Sequence, residues 1–328
     1  VRRLMSVSNN PGGLGHQSAP SSRLLLLLAF ATIYLVWGST FLAIRFTVET
    51  IPPLLAAGLR HLIAGTTLFA WIWSRGFRPT RRDWYGSAVL GFFFFLLGHG
   101  TLHWAEQAVP SGLAALLVAA EPLWITLLSF ATSYKQTLNF ANISGLVIGF
   151  LGVVLLTTDK TLTGHSASIV GIVALILGTI AWAFGMLYSK RSTSLPSDAL
   201  ARSAMSLLIG SWMLLASAAI SGELRGFHWS TVSGRSILGL FYLAIFGSII
   251  AYSAYTWLLQ RCSPTLIATH TYVNPVVAVF LGWALAGETL TRRMLLAAGL
   301  VIVSVICVSF GHSEARERIP GELDGEAA

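Results

Sequence analysis

The chain has 328 residues, of which 55% are apolar and only 10% charged, and its mean hydropathy is +0.72. A soluble domain carries about 25% charged residues, so a soluble enzyme is excluded. The long charge-free gaps, each near the roughly 20 residues that a helix needs to cross a bilayer, read as membrane spans. The net charge of +8 does not point to nucleic acid, because the basic residues sit in short loops rather than on one face. Cys262 and Cys307 have no disulfide, zinc or redox spacing.

In chain order, a Ser-, Gly- and Pro-rich tail over 1–22 is expected to be disordered. Apolar runs bounded by charge, Pro or polar clusters then predict ten helices, near 23–44, 51–73, 84–105, 111–130, 141–157, 168–189, 200–220, 237–259, 264–285 and 293–311. A second polar tail, 312–328, follows. The first apolar run, Leu24 to Ile44, is longer than the core of a signal peptide and is expected to stay uncleaved. With the N-terminus in the cytoplasm, the inside segments hold Arg2, Arg3, Arg23, Arg75, Arg78, Arg81, Arg82, Lys135, Lys190, Arg191, Arg261, Arg316 and Arg318. The outside loops then hold Arg45, Lys160, Arg225, Arg235, Arg292 and Arg293. This bias places both termini inside.

The two halves repeat. Trp104, Gln107 and Pro122 reappear as Trp257, Gln260 and Pro275 at an offset of 153, and Gly145-Leu-Val-Ile148 reappears as Gly299-Leu-Val-Ile302 at 154. Trp37 and Arg45 match Trp182 and Lys190 at 145. Residues 23–157 and 168–311 are therefore expected as two five-helix units. An odd number of spans makes the second enter from the opposite side, an inverted repeat of the kind that supports alternating access around a midplane site. The fold expected is an all-α membrane protein of ten transmembrane helices.

Charge inside a span is costly, at least roughly 2.5 to 3.5 kcal/mol per group, and only Arg60 in helix 2 and Glu121 in helix 4 fall near mid-span. Three roles are open to them: an ion pair, a substrate-binding charge, or, for Glu121, a protonatable coupling carboxylate. Glu121 precedes Pro122 and its repeat mate Asn274 precedes Pro275, so both positions flank a proline that frees a backbone carbonyl at mid-depth. His270 and Asn274 on helix 9, and Ser248, Tyr252 and Tyr255 on helix 8, make polar faces. His99 and His103 are four apart on helix 3, without the third ligand of a metal site; a proton relay, a substrate hydrogen bond or an interhelical one are the readings left. Trp37 and Trp182 suit stacking on a flat substrate or plain packing. Gly145-x-x-x-Gly149 permits close helix contact, within the chain or at a homodimer interface.

The Trp37-Gly-Ser-Thr40-Phe41 run, Arg60, Trp104-Ala-Glu-Gln107 leading to Pro110-Ser-Gly-Leu-Ala-Ala-Leu-Leu117, and the proline-centred helices 4 and 9 resemble the EamA family of drug/metabolite transporters. The resemblance spans nearly everything outside the tails. It implies an inner-membrane carrier, commonly an exporter of amino acids, metabolites or drugs, with a cavity between the halves. One departure stands out. The Gly-Glu that opens the last helix of each half is Gly287-Glu288 in the second half but Tyr134-Lys135 in the first.

Taken together, these features predict a secondary transporter in the lipid bilayer acting on a small-molecule substrate, with proton coupling left open and no cofactor. Its cavity is expected to be lined by helices 1, 3, 4, 6, 8 and 9. A flippase for a lipid intermediate shares the scaffold, and a membrane-embedded enzyme using His99 and His103 is the other class. No P-loop for ATP-driven pumping is present.

Overall fold

The computed structural model describes residues 20–131, 140–157, 168–287 and 290–317. The expected disorder of the tails falls almost wholly outside these residues, as do Tyr134, Lys135, Lys160 and Glu288. The described chain is helical. We label its helices α1 Pro20–Val48, α2 Pro53–Ser74, α3 Arg81–Ala105, α5 Phe140–Thr157, α6 Ile169–Arg191, α7 Ala199–Ile220, α8 Gly234–Leu259 and α10 Arg292–Glu317. Helices α4 and α9 are each broken in two, α4 into Ser111–Val118 and Glu121–Ala131, and α9 into Pro264–Ala268 and His270–Ala286.

Among the described residues, eight of these segments, all but α5 and α10, are long and apolar enough to cross a bilayer. Helix α1 starts three residues before its expected start, and α10 runs on to Glu317, into the stretch expected as tail.

Local chemistry accounts for many of the boundaries. Thr80 and Asp83 form a reciprocal capping box at the start of α3. Ser168, Asp198, Ser233 and Ser263 each offer a side-chain oxygen to a first-turn amide of α6, α7, α8 and α9. Such caps contribute about 1 kcal/mol each. Helix α9 ends where Gly287 turns left-handed, at φ 65°.

Two stretches depart from α geometry. Gly91–His99 in α3 and Leu243–Ala251 in α8 are π-helical, with i→i+5 hydrogen bonds. They are nine residues each and occupy matching places in the two halves, an offset of 152.

The packing also recurs. Helix α1 lies against α8 and α9, while α6 lies against α3 and α4; α2 packs along α7, and α5 along α10. Exchanging the two halves reproduces each of these pairings. The α5–α10 contact uses the Gly145–Gly149 face inside one chain, with Ser304 Oγ donating to the Gly145 carbonyl at 2.5 Å. The central core joins Trp37, Phe94, Phe95, Trp182, Tyr252 and Tyr255.

Candidate functional site

A cavity lies among α1, α2, α3, α4, α6 and α9. Its space open to the centre of a water molecule is about 70 Å³, several times the roughly 10–15 Å³ that one water needs. Of the residues expected at the site, Trp37, Thr40, Arg60, His99, Glu121, Trp182, His270 and Asn274 line it. His103, Tyr252 and Tyr255 do not, and α8 contributes no lining residue; α2 takes its place through Arg60.

The two charged groups share this cavity without forming a direct ion pair. Arg60 is 1% exposed and Glu121 2%. Arg60 Nη1 and Glu121 Oε1 each meet no protein hydrogen-bond partner. In a low-dielectric interior such atoms are costly unless something else meets them. Glu121 opens the second piece of α4, just after the break at 119–120, and Thr126 Oγ1 donates to the carbonyl of Pro122 at 2.8 Å. Asn274, the mate of Glu121 at the offset of 153, lies four residues beyond His270, the first residue of the second piece of α9. Its Nδ2 donates to the carbonyls of Tyr34 (3.0 Å) and His270 (2.9 Å), in the amide orientation that satisfies both.

Arg60 heads a buried polar chain. Its Nε donates to Ser248 Oγ at 3.1 Å; Ser248 Oγ meets His61 Nδ1 at 3.2 Å; His61 Nε2 meets His99 Nδ1 at 2.9 Å. The two ring planes are 9° from parallel, with centroids 4.8 Å apart. His103 Nδ1 donates to the His99 carbonyl at 2.8 Å, so His103 holds the helix backbone rather than facing the cavity. His270 Nδ1 donates to the Ile267 carbonyl at 2.8 Å, which leaves its Nε2 as a lone-pair acceptor.

His61 was not among the residues expected from sequence. A lone histidine in an apolar helix carries no periodic signal, and its one cue was adjacency to the only charged residue of that span. Two further charged residues are buried, Glu106 at the end of α3 and Arg202 near the start of α7. Arg202 is spent on carbonyls, donating to Pro196 O at 3.0 and 3.3 Å and to Ser189.

Aromatic side chains form part of the cavity lining. Trp37 and Trp182 meet edge to face, 5.9 Å apart at 86°. Trp37 Nε1 donates to the Gly247 carbonyl at 3.0 Å, and Trp182 Nε1 to Tyr255 Oη at 3.1 Å. Tyr255 therefore backs this pair, while Tyr252 is tied away from the cavity to Ser206 of α7 at 3.0 Å. In the other direction the lining continues through Ile44, Leu102 and Leu175, towards the C-terminal ends of α1 and α3 and the N-terminal end of α6.

The chain matches the EamA-like transporter family over residues 24–158 and again over 169–310. It is 38% identical to the inner membrane transporter YedA of Escherichia coli K12, itself uncharacterized, over 86% of this chain and 90% of that one. A probable amino-acid metabolite efflux pump of E. coli K12 is 26% identical over 85% of this chain and 93% of its own. A solved crystal structure, 22% identical, superposes with a TM-score of 0.66 over 90% of this chain and 98% of its own, a likeness of fold.

Proposed function

The chain belongs to the EamA-like transporter family, and from that premise we propose that it is a secondary transporter that exports amino acids or other small metabolites by alternating access. The observation that carries this reading is the cavity holding Arg60 Nη1 and Glu121 Oε1, two buried ionisable groups whose spare hydrogen-bonding capacity no protein atom takes up. Structural charges in a membrane are met by protein partners; charges kept for a ligand are not.

Ten spans in two inverted halves fit the recurring helix pairings, the presence of one broken helix in each half, α4 and α9, and the matched π stretches. In that arrangement α1 and α6 are mates, and the edge-to-face pair Trp37 and Trp182 sits on the pseudo-two-fold. With both termini in the cytoplasm, as the distribution of Lys and Arg favours, the aromatic pair seals the cytoplasmic side. The Ile44–Leu102–Leu175 side then leads outwards, an outward-facing state. Exchange of the two halves' conformations would open the opposite side. The proposed setting is the inner, or plasma, membrane, the one in which YedA is named a transporter.

The test is flux. Purified protein in sealed liposomes is given labelled amino acids, other metabolites and cationic dyes, with and without a pH gradient. Saturable movement of one class across the bilayer is expected. Folded protein that moves none of them would refute the reading.

A further inference from the structure

Arg60 and His99 face the cavity from neighbouring helices, and the polarity of the chain that joins them is set by its donors. Arginine has only N–H groups to offer, so Ser248 Oγ accepts from Arg60 Nε. The serine's own buried O–H is then paired only if it donates to His61 Nδ1. His61 must carry its proton on Nε2 and donate it to His99 Nδ1. His99 Nδ1 is thereby an acceptor, and its proton lies on Nε2, the nitrogen left for the cavity that the ring lines. Every donor and acceptor between Arg60 Nε and His99 Nδ1 is satisfied in this direction. The reverse orientation strands the Ser248 hydroxyl proton.

We infer that Arg60 Nη1 and His99 Nε2–H form a carboxylate subsite, and that Ser248 and His61 are positioning residues that keep His99 a donor. The inference rests on the transporter reading above and names the substrate class: a small molecule bearing a carboxylate. The site is built for close approach. A methyl group at Gly247 would stand 3.0 Å from Arg60 Nη2 and 3.0 Å from Thr40 Cγ2, so the glycine lets the guanidinium lie against α8. Two N–H donors lining one cavity can meet the two oxygens of a carboxylate, and the bond from a guanidinium to a carboxylate is among the strong ones. The same cavity also offers acceptors, Glu121 and the His270 Nε2 lone pair. A second anionic group on the ligand is disfavoured there, and an amine is accommodated.

The test compares matched acids and amides of straight, branched and aromatic skeletons, for example leucine and leucinamide, as ligands of the purified full-length chain. Binding is read as thermal stabilisation in detergent, and transport as flux in sealed liposomes. The expected result is at least one skeleton whose acid half-saturates at a concentration tenfold or more below its amide. In Ser248→Ala that ratio falls to about threefold or less, because His99 is no longer held in one tautomer; Ser248→Thr, which keeps the hydroxyl, retains it. Arg60→Gln abolishes the preference. Should that variant fail to fold, Ser248→Ala alone decides.

Acids and amides binding alike, no acid binding at all, or an unchanged ratio in Ser248→Ala would each overturn the subsite. A tenfold acid preference in binding with no flux would leave the subsite standing and overturn the transporter reading instead.

Discussion

Glu121→Gln probes the coupling chemistry most directly. Among the lining residues of the cavity Glu121 is the single carboxylate, so a proton exchanged for substrate through this site is one proton per cycle. One pH unit across the membrane is worth about 1.36 kcal/mol per proton. A one-for-one exchange therefore sustains about a tenfold substrate ratio per unit, with the voltage held at zero by valinomycin and equal potassium. The wild-type protein in liposomes with a one-unit gradient is expected to approach that ratio. Glu121→Gln keeps the side chain's shape and still exchanges labelled for unlabelled substrate, but its steady-state ratio relaxes to one. Because Arg60 and Glu121 make no ion pair, neutralising Arg60 as well restores neither folding nor accumulation. A Glu121→Gln protein that still reached a tenfold ratio would refute the assignment of Glu121 as the coupling group.

Other perturbations test the framework around the cavity. Gly178→Ala places its methyl group on Thr101 Oγ1, inside van der Waals contact, and overpacking of this kind costs about 1–3 kcal/mol; the melting temperature falls, and Thr101→Ala in the same chain recovers part of it. Trp37→Phe removes the indole donor to the Gly247 carbonyl, worth about 1 kcal/mol net, and raises substrate leak through the sealed end in a flux assay.

Glu223, in the turn after α7, accepts from the amides of Leu54 (2.9 Å) and Leu55 (3.1 Å) at the start of α2. Burial raises its pKa, and this outweighs the lowering by those two amides. A carboxyl with a raised folded-state pKa keeps more protons folded than unfolded, so the protein gains stability as pH falls from the raised value to the ordinary one. Melting curves from about pH 8 to about pH 4 are expected to show that gain in the wild type and its absence in Glu223→Gln; parallel curves would refute it.

What sequence could reveal divides along physical lines. Hydropathy is local, so the apolar runs marked the spans, and the lone charges Arg60 and Glu121 stood out because a charge inside an apolar run is costly. The repeat offset was legible because Trp37, Trp182, Pro122 and Pro275 are rare residue types whose coincidences carry information. Pairings were not legible. His61 and His99 meet only because α2 and α3 place them at one depth, and nothing in either helix names the other. The same holds for Ser248, whose role depends on a donor from α2. His103 shares a helix face with His99 by spacing, yet its ring is committed to the backbone. The π stretches were invisible as well, since Gly-Phe-Phe-Phe-Phe-Leu-Leu-Gly-His and Leu-Ala-Ile-Phe-Gly-Ser-Ile-Ile-Ala share no pattern that distinguishes i→i+5 from i→i+4 bonding.

Those wide turns make α3 and α8 tolerant of a change in length in a way that ordinary helices are not. A π turn accommodates one residue more than an α turn, and each residue advances an α-helix by roughly 100°. A deletion in a regular helix swings everything beyond it through about that angle, whereas one within Leu243–Ala251 is absorbed when a wide turn closes into α geometry. Tyr252 and Thr256 would then still face their hydroxyl partners Ser206 and Ser203 on α7, and Tyr255 would still face Trp182. The two π stretches are thus the places where a span can lose one residue and keep its facing.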